Sequence, residues 1–139
     1  MPALACLKQR LQSGGSGPGV MSKPSTFHEP ARGTRNVLVT GGAGYIGAHT
    51  AKALSEAGYH PVVYDDLSSG YRQAVRWGPL VEGDIRDEAA LCATIRRYGV
   101  TAAIHFASLI EVGRSNVRPD LFYDVNVAGT MTLLGALRD

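Results

Sequence analysis

Apolar and polar positions divide this chain near residue 36. Before that point large apolar residues are sparse and recur at no helical or strand period. The stretch from Ser13 to Gly19 is serine, glycine and proline, a flexible-linker composition. After it, short apolar runs alternate with stretches of helical period. Residues 37–40 read as a buried strand ending in glycines. A helix is expected over 45–57, with Ile46, Thr50, Ala53, Leu54 and Ala57 facing inward and Gly58 as its stop. Residues 61–65 form a second strand, followed by a Ser/Gly-rich loop. Residues 80–82 form a third, closed by Gly83 and Asp84. Asp87 caps a helix running to Tyr98, with Leu91, Ile95 and Tyr98 inside, and Gly99 ends it. A fourth strand is expected over 102–107, then a loop to about Arg118. Pro119 opens a last helix whose apolar positions are Leu121, Phe122, Val125, Leu133, Leu134 and Leu137.

The strands are apolar throughout rather than alternating, as expected where helices cover both faces of a parallel sheet. Strand and helix alternate with short connections, so the fold class is α/β, a doubly wound parallel sheet cut off after about four strands. Residues 36–139 make the domain, and residues 1–35 a disordered N-terminal extension too poor in apolar residues to fold. Strand four should lie at an open sheet edge, which invites aggregation.

Composition changes this picture little. Apolar residues make up 45% of the chain and charged ones 19%, ordinary for a globular protein. No apolar run approaches the roughly 20 residues that span a bilayer. The net charge of +2 is uneven. The first 35 residues hold Lys8, Arg10, Lys23, Arg32 and Arg35 against Glu29, so the folded part is slightly acidic. That argues against a nucleic-acid-binding surface. Cys6 and Cys92 form neither a disulfide framework nor a metal-ligand spacing, which suits a reducing cytoplasm.

The chemistry concentrates at the turn after the first strand. Gly42, Gly44 and Gly47 satisfy GxGxxG, and Gly41, Gly44 and Gly47 satisfy GxxGxxG. A glycine triplet alone is weak, but here it follows a strand and opens a helix. Glycines let the backbone approach a pyrophosphate, and the helix N-terminus offers it free N–H groups. Asp65 ends the second strand about 20 residues on, where a carboxylate accepts hydrogen bonds from ribose hydroxyls and repels a 2′-phosphate. The cofactor expected is therefore NAD rather than NADP. Asp66 either shares that task or begins the turn. Asp84 follows the third strand, where adenine should lie. His105 reads as packing rather than catalysis.

These segments resemble the extended short-chain dehydrogenase/reductase family, whose nucleotide domain is Rossmann-like. Within it they are most similar to UDP-glucose 4-epimerases. The resemblance rests on VLVTGGAGYIG at 37–47, YDDLSSG at 64–70, VEGDIRD at 81–87, AAIHFA at 102–107, VGRS at 112–115 and FYDVNVAGT at 122–130. It implies an NAD-dependent isomerase of galactose metabolism, interconverting two UDP-sugars through a transient 4-keto sugar, with the intact enzyme a homodimer. It places Tyr45 and Ile46 at the pyrophosphate turn and Asp65, Asp66, Leu67, Ser68, Ser69 and Gly70 around the adenosine ribose. Asp84 and Ile85 flank adenine. Phe106, Ala107, Ser108, Leu109 and Ile110 line the channel towards the nicotinamide ribose, which Asn126 faces from the last helix. Many members carry lysine where Ile110 stands and glutamate where Arg114 stands, so one charged cofactor contact is missing here.

The family's chemistry uses a Tyr-x-x-x-Lys pair, with tyrosinate as base and lysine lowering its pKa. The lysines are Lys8, Lys23 and Lys52, and none stands four residues after a tyrosine. No catalytic residue is therefore assigned, and the chain alone is expected to be inactive. Another nucleotide-sugar dehydratase or reductase, or a non-catalytic NAD-binding module, remains open on these residues.

Overall fold

The computed structural model describes residues 35–138. The extension expected over 1–35 lies outside them apart from Arg35, as do Cys6, Lys8 and Lys23. Four strands, β1 (Asn36–Thr40), β2 (His60–Asp65), β3 (Leu80–Glu82) and β4 (Val100–His105), form one parallel sheet in the order β3-β2-β1-β4. Leu38 pairs with Val62 on one side and Ala103 on the other. The helices are α1 (Tyr45–Glu56), α2 (Glu88–Tyr98), α3 (Val112–Val117) and α4 (Pro119–Phe122). A π-helical segment, Tyr123–Ala128, joins α4 to α5 (Gly129–Arg138).

Strand side chains alternate between the two faces. Leu38, Val62 and Tyr64 form one buried cluster with Ile85, Leu91, Cys92, Leu133 and Ala136, contributed by the β3 loop, α2 and α5. Val39 and Val63 point to the opposite face and are fully buried where α1 packs on β1 and β2. Each such side chain contributes about 1.5–3 kcal/mol relative to exposure. Asp87 caps α2 as expected, its Oδ1 accepting from Ala90 N at 3.0 Å. Gly99 takes the left-handed conformation that ends the helix, at φ 57°.

Four expectations about individual elements are corrected. The buried face of α1 is Gly47, Ala48 and Ala51, while Ile46, Ala53 and Ala57 are exposed. Small residues win because the helix sits very close to the turn beneath it. A Cβ on Gly47 would lie 2.2 Å from Gly41 O. Strand four runs two residues earlier than its apolar stretch suggests, because Gly99 delivers the chain straight into the ladder at Val100. Phe106 and Ala107 thus lie beyond the strand end. The expected loop before Arg118 contains α3, which buries nothing. The last helix is not uniform. A π-helical segment interrupts it, and in α5 Leu133 and Ala136 face inward while Leu134 and Leu137 are exposed.

β4 lies at a sheet edge. It has no fully buried residue, and Ala102 is exposed. The covering of both faces expected from the sequence is therefore complete only over β1 and β2. Among the described residues, no helix is long and apolar enough to cross a membrane.

Candidate functional site

All four strands are parallel, so the loops after them meet at one edge of the sheet. The connections from β1 and from β4 leave towards opposite faces, the arrangement that opens a crevice in such sheets. A cleft of about 580 Å³ lies there. Its walls include Gly41, Gly44, Tyr45, Ile46 and Gly47 from the first turn, and Asp65, Asp66, Ser68, Ser69 and Gly70 from the second. Asp84 and Ile85 come from the third, and Phe106, Ala107, Ser108, Leu109 and Ile110 from the fourth. The structure therefore brings together every expected site residue except two. Leu67 is absent from the walls, and Asn126 stands behind Leu109.

The first turn is shaped by close backbone approach. Gly41 adopts φ 68°, and a Cβ there would lie 2.6 Å from Ala107 N. No side chain caps the first turn of α1 at Gly44. Its N–H groups and the positive end of the helix dipole face the cleft, a ready anion site.

Asp65 is buried, and backbone amides hold both its oxygens. Oδ2 accepts from Ala43 N at 2.9 Å and Oδ1 from Leu67 N at 2.8 Å. Ala43 O in turn accepts from Tyr71 N at 3.0 Å. The second loop is thereby stitched onto the glycine turn, with one lone pair on each Asp65 oxygen still available. Asp66 begins the turn, its Oδ1 accepting from Ser68 N and Oγ at 2.9 and 2.6 Å. Leu67, at φ 58°, is the one non-glycine described residue in the left-handed region.

The third loop is fixed from three sides. Tyr64 Oη donates to Asp84 O at 3.0 Å. Burial, then the charges of Asp87 and Asp84, push that hydroxyl up to about 12, so it stays a donor. Ile85 fits against Gly129, where a Cβ would come within 2.6 Å of its Cγ2. Arg86 pairs with both Asp84 and Asp124, tying the loop to the π-helical segment. The guanidinium hydrogen bond holds the Asp84 carboxyl below its ordinary value.

Sequence reasoning took Gly83 and Arg86 only as part of the turn where adenine should lie, missed Tyr64 and Val125 in the cleft walls, and read His105 as packing. A cation two residues after Asp84 was the available signal for Arg86. The other positions depend on long-range placement. Ile110 is exposed at the cleft mouth, and Arg114 pairs with Glu111 at 3.3 Å. Among the described residues, no His/Cys/Asp/Glu group could hold a metal ion.

A parallel sheet of order 3-2-1-4, a glycine turn opening a helix and an acid ending the next strand define a class, the Rossmann-type nucleotide-binding α/β domain. The chain belongs to the NAD dependent epimerase/dehydratase family, which matches residues 37–139. It is 56% identical over 100 residues to a UDP-glucose 4-epimerase from Rhizobium leguminosarum bv. trifolii, covering 72% of this chain and 31% of that one. A UDP-glucose 4-epimerase from Klebsiella pneumoniae is 40% identical over 110 residues, covering 73% and 79%. The crystal structure of the Brucella ovis UDP-glucose 4-epimerase in complex with NAD superposes with a TM-score of 0.74 at 55% identity, covering 76% of this chain and 32% of that one. The chain thus spans about a third of the Rhizobium and Brucella proteins.

Proposed function

We propose that this chain is the NAD-binding part of a UDP-glucose 4-epimerase, which interconverts UDP-glucose and UDP-galactose through a 4-keto sugar. The observation that carries the reading is the cradle between the glycine turn and Asp65. The α1 amides would hold the pyrophosphate, and the remaining lone pairs of Asp65 would accept from the adenosine ribose hydroxyls. Asp84 and Ile85 would flank adenine, and residues 106–110 would wall the channel towards the nicotinamide ribose. Asn126 would act there through Leu109. NAD, when bound, supplies the hydride acceptor at the sugar C4. The chain's own part is to bind and orient it, since no Tyr-x-x-x-Lys pair occurs in these 139 residues.

Titration of the 139-residue chain with NAD and NADP tests this. NAD should bind more tightly, because Asp65 repels a 2′-phosphate. Equal affinities, or no binding, would overturn the reading. Incubation of the same chain with NAD and UDP-glucose should give no turnover above background. The intact protein is proposed to be a cytoplasmic homodimer. Tyr123, Val127, Met131 and Leu134 recur at helical spacing and are exposed, a stripe suited to a second copy. No nucleic-acid or membrane partner is part of the proposal.

A further inference from the structure

His105 ends β4 beneath the cleft, and both of its ring nitrogens are engaged. Nδ1 lies 2.6 Å from Thr40 Oγ1, and Nε2 lies 3.0 Å from Thr130 Oγ1. Counting protons gives the directions. Thr130 has a single hydroxyl hydrogen and lies 2.5 Å from Asn126 O, which can only accept. Thr130 therefore donates to that carbonyl and accepts from the ring, so Nε2 carries the hydrogen. The neutral ring leaves Nδ1 bare, and the fully buried Thr40 donates to it. The result is a one-way chain from Thr40 through His105 and Thr130 to Asn126.

The two ends of that chain are also the two anchors of the fourth loop. Phe106 N donates to Thr40 O at 2.9 Å, fixing the start of the loop. Leu109 N donates to Asn126 Oδ1 at 2.8 Å, and Asn126 Nδ2 donates to Leu109 O at 2.9 Å, fixing its far end. His105 braces one anchor against the other. Simple packing would require neither a ring nitrogen at each threonine nor this directionality.

We propose that His105 is a positioning residue that sets the distance between the glycine turn and the wall formed by residues 106–109, so that the nicotinamide half of NAD meets a preformed channel. This rests on the NAD-binding reading. AMP, which lacks the nicotinamide half, should be indifferent to the brace.

The test compares NAD and AMP affinities in the full chain. His105→Leu and Thr130→Val should each weaken NAD by about five- to tenfold, the scale of one lost hydrogen bond, and AMP by less than about twofold. His105→Gln keeps a donor near the Nε2 position and should restore NAD to within about threefold of wild type. Equal losses for NAD and AMP, or no rescue by glutamine, would reduce His105 to structural support and overturn the proposal. The ¹⁵N imidazole shifts of the wild-type chain need no variant. They should show the Nε2–H tautomer, and an Nδ1–H tautomer would break the chain of donors. Should wild type bind neither NAD nor AMP, the NAD reading fails and takes this proposal with it. Unchanged NAD binding in the variants would end the proposal alone.

Discussion

At the middle of the sheet Leu38, Val39 and Val63 are completely buried, whereas one strand away β4 has no buried residue. Both regions present loops to the same cleft, yet they hold them differently. Around β1 and β2 the backbone itself is close-packed, with Gly42 against Val63 and Gly47 against Gly41 leaving no room for a side chain. Around β4 the loop is held by directed hydrogen bonds from His105, Thr130 and Asn126. Close packing resists any change of volume, while a hydrogen-bonded brace resists only loss of the right donor or acceptor. The glycine-turn side should therefore be sensitive to size and the β4 side to chemistry.

The largest effect expected is Leu38→Ala, which removes a fully buried side chain shared by both halves. It should cost about 2–5 kcal/mol in urea unfolding of the chain. A loss below about 1 kcal/mol would mean that the central packing is looser than the burial implies. Gly47→Ala comes next. Its methyl would meet backbone, which cannot swing aside, so about 1–3 kcal/mol of stability should go, together with most NAD affinity. An alanine variant that binds NAD normally would contradict the size-sensitive side of the comparison. Asp87→Ala, which removes the cap of α2 between the two regions, should cost about 1 kcal/mol and leave NAD affinity intact.

A pH titration sharpens the other side. Burial holds the His105 imidazole below its ordinary pKa of 6.5. The folded chain thus binds a proton less readily than the unfolded one. Stability should be level above about pH 6.5, should fall as pH drops from there towards the depressed folded value, and should level again below it. In His105→Gln the decline over that window should shrink. An unchanged decline would assign it to other groups. Smallest of all, Met131→Lys on the exposed stripe should change the stability of the chain diluted to a monomer by no more than about 0.5 kcal/mol. A larger loss would show that the stripe is covered even in the monomer.

Much of this was legible in the chain itself. The strands, the Asp87 cap and the glycine turn announce themselves because their determinants are local: apolar runs, a capping side chain, residues without a Cβ. The inner face of α1 was misread because apolar spacing favours Ile46 and Ala53, while the deciding factor is how closely α1 approaches Gly41. The π-helical widening over Tyr123–Ala128 has no local signature. In and just after it, Asp124, Asn126 and Thr130 each reach a different part of the fold, contacts no local pattern announces. His105 looked like packing for the same reason, since its two threonines lie far from it in sequence.

Asp65 also bears on how far this protein could be redesigned. Its carboxylate restrains the glycine turn through Ala43 and keeps Leu67 in a backbone conformation that leucine seldom adopts. An engineer who exchanged it for a small neutral residue to admit a phosphorylated cofactor would release both amides at once. Leu67 would then relax, and the binding loop would drift from the phosphate site. If Asp65 reads the ribose as proposed, cofactor preference and loop architecture become a single trait. Switching one should require a second substitution, such as glycine at position 67, to rebuild the other.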